Sequence, residues 1–294
     1  MTKQMLTGYI CAICSAVIYG CMPLMSKYIY ADGVNPLTLV FLRNALSILP
    51  LGILAWRENK TLAVPVKILP SISLMSFLGC SATPILLFSS YQFMASGTAT
   101  VFHFVYPALV ILLQIFFMRK KVQLSSIISV ILCVVGISLF YAPGQPLNFT
   151  GSALALGSGL TFAIYVVLLS NFDRTHIAGF LFSFYVATIS SIILLVICLV
   201  TGSLTLPTTL AGWGLCVLFS LAVTTGAVVL FQHSTFLIGG ERTSILSTLE
   251  PITGVILGVV VFGEPFGLRV LVGTVLVVAA SMLTALWDMK KKNN

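Results

Sequence analysis

Apolar stretches of about 20 residues follow one another along the whole chain, separated by short breaks rich in polar residues, Gly or Pro. That length lets an α-helix cross a hydrocarbon layer of about 30 Å, and backbone groups inside such a layer must be satisfied within the segment itself. Composition agrees. Of the 294 residues 59% are hydrophobic and 7% charged, whereas a soluble domain carries about 25% charged residues. So few polar groups cannot cover a water-facing surface, which excludes a soluble catalytic domain, a disordered chain and a secreted disulfide scaffold. The net charge of +8 calls for no nucleic acid as partner, because basic residues gathered on one membrane face account for it. The lipid bilayer is the expected surrounding.

The runs predict ten helices, at residues 7–28, 36–56, 67–93, 97–118, 123–141, 151–171, 177–201, 210–233, 242–262 and 267–287. The first is too long for the apolar core of a signal peptide and is read as a span. With a cytoplasmic N-terminus, Lys3, Arg57, Lys60, Lys67, Arg119, Lys120, Lys121, Arg174, Arg242 and Lys290 to Lys292 fall inside, and only Arg269 falls outside. This bias predicts a multi-pass protein of a plasma or inner cell membrane with both termini cytoplasmic.

The halves repeat. Gly8 aligned with Gly151 places Ser15 on Ser158 and Tyr19 on Phe162, an offset of 143 residues. Pro107 aligned with Pro251 places Leu113 on Leu257 and Leu124 on Leu268, an offset of 144. The turn-rich stretch 142–146 marks the boundary, giving repeats 1–144 and 145–294 of five helices each. An odd number per repeat inverts the second against the first. The fold class predicted is therefore an all-α integral membrane protein of two inverted five-helix repeats, the construction of alternating-access transporters with a midplane site.

Several short motifs in order resemble the drug/metabolite transporter superfamily, specifically its EamA-type members. They are Tyr19-Gly20 leading to Lys27, Phe41-Leu42-Arg43-Asn44-Ala45, Gly97-Thr98-Ala99 leading to Pro107, and Leu249-Glu250-Pro251 followed by Phe262-Gly263-Glu264. The first half departs from the family pattern, with Arg119-Lys120-Lys121 where a glycine and glutamate are common. The resemblance implies a ten-helix secondary transporter, often an exporter, of amino acids, metabolites or drugs.

Ionisable residues inside a bilayer are costly and usually face a cavity or a partner. At 1.5 Å per residue, Glu250 lies ~13 Å from the inner surface and Arg43 ~10 Å from the outer one. Glu250 is a candidate to hold a cationic group or to carry a coupling proton; pairing with Arg43 or Lys27 to fasten two helices is the alternative. Arg43 presents a fork suited to a carboxylate, and Lys27, nearer the surface, either snorkels or joins the site. His103, Tyr106, Val110 and Gln114 share one face of a helix, and Ser247, Glu250, Gly254 and Gly258 share the equivalent face in the second half. Tyr91, Gln92, Tyr165 and Gln232 are further polar candidates for substrate contact. Pro107 and Pro251 correspond under the repeat and are candidate hinges.

The chain contains no P-loop, no Rossmann glycine fingerprint, no nucleophile elbow and no HExxH. No enzyme activity, cofactor or metal is expected, and Cys11-x-x-Cys14 reads as helix filler. The partner expected is a small organic solute, an amino acid or similar zwitterion first, with purine-like metabolites or cationic drugs as the alternative. A passive channel and a membrane-bound enzyme or lipid-handling protein are the competing classes, and the oligomeric state is open, a monomer included.

Overall fold

A computed structural model describes residues 3–94, 96–119, 124–139, 148–173, 177, 179–262 and 267–293. The turn at 142–146, Lys120, Lys121, Arg174, Gly263 and Glu264 lie outside the described residues. Among the described residues every regular element is helical. The helices are α1 (Lys3–Gly20), α2 (Met22–Ala31), α3 (Pro36–Ala45), α4 (Ile48–Asn59), α5 (Leu69–Met75), α6 (Thr83–Ser90), α7 (Ser96–His103) and α8 (Tyr106–Met118). They continue with α9 (Leu124–Ser138), α10 (Phe149–Ser170), α11 (Gly179–Val200), α12 (Leu210–Phe219), α13 (Val229–Ile238), α14 (Gly240–Leu246), α15 (Leu249–Phe262) and α16 (Leu268–Asn293). Six of the resulting rods are long and apolar enough to cross a bilayer: Lys3–Ala31, Pro36–Glu58, Val66–Ser90, Phe149–Ser170, Gly179–Val200 and Leu210–Ile238.

Four helices that the apolar runs predict as continuous are each two shorter ones. The breaks fall at Cys21, at Leu46-Ser47, at Phe104-Val105 and at Ser247-Thr248. In each case a proline follows within two to four residues: Pro23, Pro50, Pro107 and Pro251. Proline has no N–H to give and its ring crowds the carbonyl four residues earlier, so the ladder opens just upstream. Pro84 acts more gently. Upstream of it the rod widens into a π-helical stretch, Ser76–Ala82, without breaking. A second π-helical stretch, Ser220–Val228, starts 144 residues after the first and has no proline beside it.

Opening a ladder strands backbone carbonyls, and neighbouring helices satisfy them. At the α3–α4 break Ser47 N–H bonds to the Asn44 carbonyl instead of that of Arg43. The freed Arg43 carbonyl accepts from Ser220 Oγ at 2.6 Å. Ser47 Oγ lies 2.6 Å from Ser220 Oγ and 3.2 Å from Thr225 Oγ1. The break in one rod is thereby stitched to the π stretch of another.

Packing follows a regular scheme. α1 lies against α13 and α15, and α10 lies correspondingly against α6 and α8. α11 contacts α3 and α4, while α9 contacts α16. The bundle has two distinguishable ends. At one, Asp32 accepts hydrogen bonds from the backbone of Thr208 and Thr209, and Asn35 caps α3 at Thr38. At the other, Glu58 accepts from Phe180 N–H at 2.9 Å and Asn171 reaches Met118. Arg57, Lys60, Arg119 and Arg242 sit at this second, basic end, where Lys60 and Arg119 close α4 and α8 in left-handed conformations.

Candidate functional site

The breaks converge on the middle of the bundle. There a cavity of about 60 Å³ is lined by parts of α1, α2, α3, α6, α7, α8, α10, α13 and α15, by Ser247 in the break between α14 and α15, and by both π stretches. Its charged and polar walls are Arg43, Glu250, His103, Tyr106, Tyr165, Tyr19 and Ser247, and its apolar walls include Met22, Phe88, Phe162 and Phe231.

Arg43 ends up here because Leu39, Val40 and Leu42 turn the same helix into the core, which carries the guanidinium inward just before the break. It is only 4% exposed, and its Nε has no hydrogen-bond partner. Glu250 occupies the second position of α15, immediately after the break at Ser247-Thr248, where its N–H bonds to the Ser247 carbonyl at 3.0 Å. Among the described residues no hydrogen bond or ion pair joins Arg43 to Glu250. An acid and a base therefore line one cavity with no bond between them.

His103 is the last residue of α7, and its Nδ1 lies 2.9 Å from Ser158 Oγ. Ser158 gives its own proton to the Ala155 carbonyl at 2.6 Å. Proton counting then puts the hydrogen of a neutral His103 ring on Nδ1 and leaves Nε2 as an acceptor. Tyr106 opens α8, and its hydroxyl approaches the Ser244 carbonyl at 3.5 Å, beside the break in the opposite rod. The rings pack in sequence. His103 lies 5.3 Å from Tyr106, Tyr106 meets Phe162 edge-on at 4.8 Å, and Phe162 lies 5.3 Å from Phe231. Tyr165 lies flat on the backbone of α6's rod at Gly79, where a Cβ would come within 2.6 Å of the ring.

Of the nine substrate-contact candidates read from the sequence, the cavity brings together Glu250, Arg43, His103, Tyr106 and Tyr165. Gln232 lies one residue behind Phe231 and lines a separate cavity. Lys27, Tyr91 and Gln92 lie away from both cavities. The break at Cys21 turns α2 so that Met22, Ser26 and Ile29 face inward and Lys27 outward. Helix α6 ends at Ser90, so Tyr91 packs beside Phe88 at 5.8 Å and Gln92 is exposed beyond the helix. Pro107 is buried at the start of α8 and Pro251 is partly buried in α15, each directly after a break. Sequence reasoning did not place Tyr19, Phe162 and Phe231 in the walls; an aromatic residue in an apolar run gives no signal of which side it faces. Among the described residues no group of three or more His, Cys, Asp or Glu could hold a metal ion.

The chain is similar to known proteins along its length. An uncharacterized transporter of Archaeoglobus fulgidus is 24% identical over 279 residues, covering 94% of this chain and 95% of that protein. An uncharacterized transporter of Clostridium kluyveri is 22% identical over 308 residues, covering 98% and 95%. A protein of known crystal structure superposes with a TM-score of 0.78 at 14% identity over 96% of this chain and 98% of its own, a likeness of fold. The EamA-like transporter family matches residues 6–142 and again residues 149–286. A multi-pass helical membrane protein matched in both halves by that family is a transporter, and the chain belongs to the EamA-like transporter family.

Proposed function

We propose that the protein moves a small zwitterion, an amino acid or close relative with an apolar side chain, by alternating access of the central cavity. The carrying observation is that Arg43 and Glu250 line one cavity with no bond between them, the Arg43 Nε having no hydrogen-bond partner. Arg43 offers its guanidinium to the carboxylate, and Glu250 meets the amino group or carries a coupling proton. His103 Nε2 and the Tyr106 hydroxyl supply polar contacts, while Phe162 and Phe231 form the wall for the side chain.

The architecture we propose is ten membrane helices in two inverted repeats, 1–144 and 145–294. The interchange of packing partners, the π stretches 144 residues apart and the double family match support it. So does a pair of buried contacts: Ser47 with Thr225 and Ser190 with Ser81, the latter 2.6 Å apart, exchange partners under the same offsets. The basic end is assigned to the cytoplasm by the positive-inside rule, and Pro107 and Pro251 are assigned as the hinges. Export is the direction we propose.

Counterflow in proteoliposomes tests the solute. Leucine and phenylalanine are expected to exchange, adenine and tetraphenylphosphonium not, and Arg43→Gln is expected to slow exchange roughly tenfold or more, since a bond to a charged group is lost. Glu250→Gln that keeps exchange but loses uphill accumulation assigns the proton to Glu250; loss of both assigns it the amino group. Preferential flux of adenine or the organic cation, or unaltered flux in both variants, overturns the reading.

A further inference from the structure

A second cavity, of about 240 Å³, lies on the basic-end side of the first and is lined by Glu58, Gly179, Phe180, Ser183, Val229, Leu230, Gln232, His233 and Phe236. Glu58 and His233 at its rim are exposed, whereas Gln232 and Ser183 at its floor are 1% and 3% exposed. Neither residue lines the central cavity, but both are linked to Tyr165, which does. Ser183 Oγ donates to Gln232 Oε1 at 2.6 Å, and Gln232 Nε2 donates to the Tyr165 hydroxyl at 3.0 Å, so one hydrogen-bonded chain runs from a wall of one cavity to a wall of the other. The three residues come from α11, α13 and α10, three separate rods.

The residues that the repeat offsets place opposite this chain are of another kind. Tyr165, Ser183 and Gln232 correspond to Met22, Val40 and Phe88. Those three are buried in one apolar cluster, and Met22 and Phe88 line the central cavity. The positions that match the polar chain are thus apolar on the other side of the cavity, with the rings of Tyr30 and Tyr91 packed against them, and polar on the side towards the basic face.

We propose that the Tyr165–Gln232–Ser183 chain is the gate between the central cavity and a solvent-filled vestibule, the second cavity, through which solute passes to the basic end. The proposal rests on the central cavity's being the transported solute's compartment. The gate's chemistry gives it a distinct way of opening. Water entering the vestibule replaces each hydrogen bond one for one, so parting α11 and α13 strands no buried polar group. The apolar seal opposite has no such exchange and parts only by exposing hydrocarbon. The two ends therefore open by different means.

Cys80 provides a readout that needs no solute. It is 3% exposed and lines the central cavity. In a full-length protein carrying Cys11→Ala, Cys14→Ala, Cys21→Ala, Cys133→Ala, Cys198→Ala and Cys216→Ala, Cys80 is modified by a membrane-impermeant quaternary-ammonium methanethiosulfonate added to vesicles of either orientation and followed by mass. Gln232→Ala is expected to speed modification from the Glu58 face on the order of tenfold or more, since both of its hydrogen bonds are lost. Ser183→Ala, which removes one bond and keeps the packing, is expected to do so by a smaller factor. Met22→Ala speeds modification from the opposite face only. Unchanged rates from the Glu58 face in Gln232→Ala and Ser183→Ala, or acceleration from the opposite face, overturn the gate; if Gln232→Ala does not fold, Ser183→Ala decides. Altered Cys80 modification together with absent zwitterion flux keeps the gate and removes the proposed solute.

Discussion

A methyl group at position 20 would come within 2.7 Å of the Glu250 carbonyl oxygen and against Thr253. Gly20 is therefore the point at which α1 touches α15 backbone to backbone, and it fixes how far Glu250 sits from the rest of the cavity. Gly20→Ala is expected to destabilise by about 1–3 kcal/mol through overpacking, read as a fall in unfolding temperature in detergent, and to lower transport by displacing Glu250. Asp32 behaves differently because it lies outside the spans. Desolvation pushes its carboxyl up, but hydrogen bonds from Thr209 and Thr208 outweigh this and hold it below the ordinary carboxylate value of 3.8. A depressed carboxyl contributes stability above its unfolded-state value and loses it as pH falls through the folded one. Asp32→Asn is accordingly expected to lower the unfolding temperature at pH 7, with the difference from the parent shrinking as the pH is brought towards 3. A difference that grows on acidification contradicts that assignment.

At the scale of the element, the prolines decide where rods bend, and most of that was legible in the sequence. Most helix ends were read to within four residues from the apolar runs, but those at Ile238 and Asn293 were read about five and six residues short, and the breaks at Cys21, Leu46-Ser47, Phe104-Val105 and Ser247-Thr248 cut helices that the runs predict as continuous. The proline-free π stretch Ser220–Val228 was not legible. It has no local cause and is held by its partners, with Ser220 bonded to the Arg43 carbonyl and Thr225 to Ser47. Pro107→Ala and Pro251→Ala each restore a backbone donor and relieve crowding. Both are expected to leave stability unchanged or raised while slowing transport, since the rods lose the bend that the cavity needs. Unaltered counterflow in both variants removes the hinge role.

For the whole molecule, the proposed even number of spans carries a direct consequence: tags on the two termini lie on the same side. Protease added to inside-out vesicles is expected to remove both, and added to right-side-out vesicles neither; a split result excludes ten inverted spans. The sequence by itself determined that this chain lives in a bilayer, where its helices run, which end is basic, and that Arg43 and Glu250 are inside without a topological reason, because transfer of charge and backbone into hydrocarbon is a local cost written in composition. Only the tertiary structure decided which polar residues meet. Lys27, Tyr91 and Gln92 were as eligible as Tyr165 by type, yet Lys27 and Gln92 are exposed and Tyr91 stands behind Phe88 instead of lining the cavity. Phe162 and Phe231 line the central cavity and Gln232 lines a second one, because the direction of a side chain is set by the neighbours its helix packs against, and those lie far away in the chain: the Arg43 carbonyl freed at a break is taken up by Ser220, 177 residues on, and Gln232 bonds to Tyr165, 67 residues before it.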